Sequence, residues 1–250
     1  MKSRTLTALP VYNEVTHVAG VLGQVLRHSD EVLVVDDGSR DGTAELLSRR
    51  DDIHVLTHAE NKGYGAALTS AFEFALRCGY QTLVTIDCDG QHEPQRIPEF
   101  VAACTEGVDL VSGSRYLERY ADQSRPPEDR RRINHILTGE LNRRLGLQLS
   151  DAFCGFKAYR VAALADLAVT DPGYAMPLEL WVQAAALRWK IVELPVPLIY
   201  LEEERSFGGS LDDAQTRLAV YRGVLDRAIA AVGRIQRTTC CGTACPDCCE

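Results

Sequence analysis

Apolar residues recur along the first half of the chain in two alternating patterns. Short continuous runs at residues 5–9, 31–35, 53–56 and 82–86 have the length and composition of buried strands. Between them, apolar positions three and four apart mark helices. Val15, Val18, Val21, Leu22, Val25 and Leu26 keep that spacing over residues 14–28. Asp41 is placed to cap a short helix ending near Leu47, and an Ala- and Leu-rich helix is expected over residues 63–77. Strands alternating with helices of this length predict an α/β fold, with a mostly parallel central sheet flanked by helices. In such sheets ligands bind beyond the carboxyl ends of the strands. Three polar clusters fall at those ends, at residues 10–14, 36–39 and 87–91.

The second half is less regular. Strands are expected at residues 108–113 and 191–195, and helices at 94–105, 130–145, 178–187 and 211–235. Ile133, Ile136, Leu137, Leu141 and Leu145 form one face of the 130–145 helix. Residues 117–129 are polar and include Pro126-Pro127, which reads as a mobile loop. No internal repeat and no linker breaks the pattern. Residues 1–236 are therefore read as a single domain, and 237–250 as a Cys-rich tail without fixed structure.

Charge narrows the range of partners. Lys and Arg total 27 against 35 for Asp and Glu, giving −8, so a broad nucleic-acid surface is not expected. No apolar run reaches the length of a membrane span, and the first apolar stretch is too short for an export signal. The expected location is cytoplasmic, with at most peripheral attachment to the cytoplasmic face of a membrane. Five of the nine cysteines crowd the tail: Cys240, Cys241, Cys245, Cys248 and Cys249. A tetrahedral site for a soft metal would be strained over so short a segment.

The polar clusters carry the chemistry. Asp87, Asp89 and Gln91 offer three oxygen donors at alternating positions past a strand, a set suited to a hard divalent cation such as Mg²⁺ or Mn²⁺. An ordinary polar turn can have the same composition. In the first cluster Tyr12 is able to stack on a base, while Asn13 or Glu14 can cap the next helix. Asp36 and Asp37 offer carboxylates to a base or a ribose. Lys62 and Gly63 precede a helix N-terminus, where an anion is favoured.

The order and spacing of these stretches resembles the family 2 glycosyltransferases of GT-A (Rossmann-like) fold, and within them the dolichyl- or polyprenyl-phosphate mannose synthase branch. The matching segments are LPVYNE, VVDDGSRDGT, NKGYGAAL, IDCDGQHEP, SGSRY, RRRIN, LQLSDAFCGFKAYR and ELPVPLIYLEEERSFGGS, spanning roughly residues 5–210. The resemblance implies that Pro10, Tyr12, Asn13, Glu14 and Asp37 hold the nucleotide, with Asp36 in support. It also implies that Asp87 faces the ribose and diphosphate, and that Asp89 and Gln91 ligate the metal. Arg115 and Arg130 would meet phosphate oxygens, and Arg205 would close over the donor. Arg130, Arg131 and Arg132 sit at an expected helix start, where cations oppose the helix dipole, which favours a phosphate or headgroup role.

Two departures concern the acceptor. Leu211 stands where the family's active-site loop has lysine, and Phe153-Cys154-Gly155-Phe156 stands in place of Thr-Ser-Gly-Phe. The leading expectation is an inverting transfer of a hexose from GDP-mannose or UDP-glucose to polyprenyl phosphate at a membrane surface. A second is transfer to a sugar or protein hydroxyl, with Glu179 as the base. A third is a nucleotide-sugar-binding protein without turnover. His92, beside the metal motif, is expected to be exposed rather than a ligand. The oligomeric state is left open.

Overall fold

Seven strands form one sheet in the order β3-β2-β1-β4-β6-β5-β7. They are β1 (Thr5–Val11), β2 (Val32–Asp36), β3 (His54–Thr57), β4 (Thr82–Thr85), β5 (Leu110–Ser114), β6 (Lys157–Arg160) and β7 (Ile191–Pro195). The computed structural model describes residues 4–120, 124, 126–201 and 209–241, with the backbone alone over 234–241. Every pairing is parallel except those of β6, which runs antiparallel to both β4 and β5. The mostly parallel sheet expected from the sequence is present.

Side chains alternate across β1 and β2 between two cores. Leu6, Ala8, Leu33 and Val35 pack into one, with α3 (Tyr64–Arg77), α5 (Glu128–Leu145) and α7 (Met176–Ala186). Leu9, Val11, Val32 and Val34 pack into the other, with α1 (Val18–Val25) and α4 (Ile97–Ala103). Three further helices are α2 (Thr43–Leu47), α6 (Val161–Leu164) and α8 (Ala214–Cys241). Strand β3 lies at the sheet edge and is mostly exposed, as its position requires.

The differences from expectation have local causes. Helix α1 begins at Val18 rather than near Glu14. The Glu14 N–H donates to Thr43 Oγ1 and the Val15 N–H to Asp41 Oδ2, tying this turn to the neighbouring loop. Helix α5 begins two residues earlier than expected, so its first turn holds Glu128 and Asp129 ahead of the three arginines. The acidic pair answers the helix dipole there, and the conflict anticipated for Arg130, Arg131 and Arg132 is removed. Ile133, Leu137 and Leu141 are buried along the expected face. The short strand β6 escaped prediction because Lys157 and Arg160 bracket only two apolar residues. Helix α8 extends to Cys241, past the expected limit of 235, and residues 242–250 of the tail lie outside the described residues. Among the described residues no helix is long and apolar enough to cross a membrane.

Candidate active site

The carboxyl ends of β1 and β4, with the loop after β2, open into a cavity of about 660 Å³. In its lining Asp87 and Asp89 follow β4, with Gln91 beside them on the wall. Tyr64 Oη donates to Asp87 Oδ1 at 2.9 Å, and His92 Nε2 stands 3.3 Å from Oδ2. Burial alone would raise the Asp87 pKa. The hydrogen bond and charge of His92, then Tyr64 and Arg115, outweigh it and hold the carboxyl below its ordinary range. The same carboxylate, with burial, pushes the Tyr64 hydroxyl well above the usual tyrosine value. Asp89 Oδ1 accepts the Gln91 N–H at 2.9 Å, which closes the turn of the motif.

His92 corrects its expectation. Its side chain is only 6% exposed, the ring lies edge-on to Phe156, and Nε2 faces Asp87. Its Nδ1 is buried without a partner. Gly155 explains how Asp87 is accommodated, because a Cβ there would lie 2.2 Å from Asp87 Oδ2.

The residues expected to hold a nucleotide divide into two groups. Pro10, Tyr12, Glu14, Asp37, Gly63 and Asp87 line the cavity, with Tyr12 exposed at its rim. Asn13, Asp36 and Lys62 are not on the lining. Asn13 has φ 55, accepts the Arg40 N–H through Oδ1 and donates its own N–H to Ser39 Oγ, which joins two loops. Asp36 is fully buried, and its Oδ1 accepts the Ser39 N–H. Lys62 contributes its backbone N–H to Asp37 Oδ1, while Gly63 N–H donates to Oδ2. Asp37 is thus spent largely on shaping this loop, with His58 Nδ1 also 2.6 Å from Oδ1. The Gly63 and Ala66 N–H groups donate to Asp37 and Pro172, so these donors at the α3 N-terminus are occupied by the protein rather than left for an anion. Gly63 at φ +104 also brings its backbone against Pro172, whose oxygen would lie 2.3 Å from a Cβ.

The rest of the cavity lining is cationic and apolar. Arg115, Arg130, Arg131, Lys157 and Arg217 contribute to it with Ile133, Leu180, Leu198 and Tyr221. Arg115 is paired with Asp151, and Arg130 lies 5.6 Å from the centre of the Tyr200 ring. Asp151, His58, Lys157 and Arg217 were not singled out from the sequence. Each is a polar residue that the fold buries, and burial is not visible in a polar stretch.

Glu179, expected as a base for a hydroxyl acceptor, is absent from the cavity lining, and its carboxylate accepts the N–H groups of Thr170 and Asp171 and the Thr170 hydroxyl. Arg205 lies outside the described residues. Among the described residues no three His, Cys, Asp or Glu side chains converge on a metal position. Two carboxylates and an amide fit a cation whose remaining ligands are water and substrate phosphate oxygens, not a cation caged by protein alone.

A model of the family described as glycosyl transferase family 2 matches residues 7–168. The polyprenol monophosphomannose synthase of Mycolicibacterium smegmatis is 34% identical, over 92% of this chain and 91% of that protein. The undecaprenyl-phosphate mannosyltransferase of Micrococcus luteus is also 34% identical, over 84% of this chain and 90% of that protein. Among solved structures, glucosyl-3-phosphoglycerate synthase from Mycobacterium tuberculosis in complex with uridine-diphosphate superposes with a TM-score of 0.65. It is 20% identical over 93% of this chain and 81% of its own, a likeness of fold.

Proposed function

The chain belongs to glycosyl transferase family 2 and is a glycosyltransferase of GT-A fold, and from that premise we propose that it transfers a hexose, with inversion, from a nucleoside diphosphate sugar to a polyprenyl phosphate. One observation carries the reading. A single cavity is lined by Asp87 and Asp89, by Arg115, Arg130 and Arg131, and by the apolar side chains of Ile133, Leu180 and Leu198 with Tyr221. A diphosphate sugar suits the carboxylates if a cation is present. A phosphate with a hydrocarbon tail suits the cationic and apolar side chains. Both relatives named above are called after mannose and a polyprenyl phosphate carrier, so GDP-mannose is the first donor to test and UDP-glucose the second.

In this reading Asp87, Asp89 and Gln91 hold Mg²⁺ or Mn²⁺, which when bound stabilises negative charge on the departing oxygen. Tyr12, Pro10 and Glu14 face the nucleoside at the rim. Arg115 and Arg130 offer charge-assisted hydrogen bonds to phosphate oxygens. A phosphate acceptor, with a second pKa of about 6, is largely ionised at pH 7 and attacks without a general base. The commitment of Glu179 to residues 170–171 favours such an acceptor over a hydroxyl, which needs a base. A polyprenyl acceptor resides in a membrane, so the protein would work peripherally at its surface.

The test is a screen of radiolabelled GDP-mannose, UDP-glucose and UDP-GlcNAc with Mg²⁺ or Mn²⁺, with and without polyprenyl phosphate. Label is expected in the lipid phase, and Asp89→Ala is expected to reduce its rate by roughly 100-fold. Metal-dependent donor hydrolysis with no lipid product would refute the acceptor assignment.

A further inference from the structure

Lys157 is one of two deeply buried cations on the cavity wall, at 3% exposure against 2% for Arg217. It lies on β6 and pairs in register with Thr85 of β4 on one side and Ser112 of β5 on the other, in the middle of the sheet. Its Nζ donates to Ser112 Oγ at 2.6 Å and lies 4.8 Å from the centre of the Trp181 ring. Among the described residues it has no other hydrogen bond and no ion pair. The two carboxylates whose charge it feels are occupied elsewhere. Asp151 serves Arg115 and Asn134, and Glu193 accepts N–H groups from Ser150 and Asp151.

An ammonium has three donors and no acceptor. One donor is used, which leaves the others on a residue of the cavity wall with no anion among the described residues to accept them. Burial of an unpaired charge is unfavourable, and it holds the Lys157 pKa below the ordinary lysine value. A hydrophobic residue of similar volume would remove that cost. The retained charge is therefore accounted for by a ligand oxygen carrying negative charge.

We propose that Lys157 binds substrate directly, donating from Nζ to a phosphoryl oxygen inside the cavity. The assignment rests on the cavity being the transfer site, and it adds a contact that the strand-end motifs do not contain. Two sources supply a phosphoryl oxygen there: the diphosphate of the donor and the phosphate of the acceptor. The neighbouring Trp181 and Ser112 do not distinguish them, so the test has an arm for each.

Lys157→Met and Lys157→Gln are compared with the wild type by calorimetric titration, using GDP and UDP with Mg²⁺ in one arm and farnesyl phosphate in the other. Farnesol serves as the control without phosphate. Lys157→Met is expected to melt at or above the wild-type temperature, since it removes a buried charge, and yet to bind one of the two phosphate ligands about tenfold or more weakly. Weakening confined to farnesyl phosphate assigns Lys157 to the acceptor, and weakening confined to GDP or UDP assigns it to the donor. Lys157→Arg, which keeps the charge, is expected to recover part of the affinity. Lys157→Gln gives the same reading should the methionine variant fail to fold. Unchanged affinity in both arms overturns the proposal while leaving the transferase reading intact. If the wild type binds neither probe, the functional reading fails separately. Lys157 is then judged on inorganic pyrophosphate, which must raise the melting temperature of the wild type more than that of Lys157→Met for the proposal to survive.

Discussion

Asp151 grips the Arg115 guanidinium at two points, accepting from Nε at 2.6 Å through Oδ2 and from Nη2 at 3.0 Å through Oδ1. The carboxylate is fully buried and also accepts from Asn134 Nδ2 and the Phe153 N–H. Burial would raise its pKa, but Arg115 outweighs burial and brings it to about 2. The pair fixes the guanidinium plane at the cavity wall while leaving the remaining N–H donors for a ligand. Arg115 is thus a preoriented fork whose counterion belongs to the protein, rather than a free cation waiting for phosphate.

Stability should reflect that pair at low pH. A carboxylate whose folded pKa lies near 2, against an ordinary value of 3.8, adds stability that is fully present above the ordinary value. That contribution, on the order of 2 kcal/mol, is lost as pH falls from about 4 toward 2. Asp151→Asn should remove this acid-sensitive part and cost roughly 3–5 kcal/mol at pH 7, because it strands a buried arginine. Urea denaturation of both proteins at pH 7 and pH 3 measures it. An asparagine variant as stable as the wild type at pH 7 would contradict the pairing.

Glu179 should prove structural. Its carboxylate accepts the Thr170 and Asp171 N–H groups at 2.8 Å each, and the segment it holds places the Pro172 carbonyl over the Ala66 N–H at the start of α3. Glu179→Gln would present an amide N–H to one of those donors. The expected result is a stability loss of about 1–2 kcal/mol, with turnover within about twofold of wild type and an unaltered pH profile. A general base behaves differently: its loss lowers turnover by about 100-fold or more and removes the acidic limb of the profile. Steady-state rates from pH 5 to 9 separate the two.

Legibility followed the range of the interactions concerned. The place of Asp87, Asp89, Pro10, Tyr12 and Glu14 on the cavity wall was readable because each lies at or just past the end of a strand whose apolar run is continuous, and the parallel topology then brings those ends together. The sheet itself was readable for the same reason, apart from β6, which inserts antiparallel between β4 and β5 with few apolar residues to announce it. The surroundings of Glu179, Lys62 and His92 were not readable because they come from afar or from burial. Glu179 turns to residues 170–171, the Lys62 N–H to Asp37, and His92 into the wall beside Asp87 and Phe156. Local spacing shows which residues share an edge of the sheet. It does not show which of them the protein itself has already engaged.

Gly155 gives a direct test of how tightly the acidic lining is built. Thr85 Oγ1 donates to its carbonyl at 2.9 Å, which holds residue 155 against the end of β4. A Cβ added there would lie within 2.6 Å of all three carboxyl atoms of Asp87. The neighbouring wall is rigid, with Phe156 fully buried and stacked on Phe100 at 4.0 Å between centroids, so Asp87 is the group that must move. Moving it breaks the hydrogen bond from Tyr64 and the approach to His92 that together hold the carboxylate ionised. Gly155→Ala should therefore fold with a modest loss, about 1–3 kcal/mol as for other overpacked sites, while turnover falls by about 100-fold, the scale expected when a reacting geometry shifts by an ångström. Nucleoside binding at the Tyr12 rim should change far less. Thermal melts, nucleotide titration and rates on one preparation decide the matter. Near-normal turnover would mean that Asp87 tolerates displacement and does not hold a fixed position in the reaction.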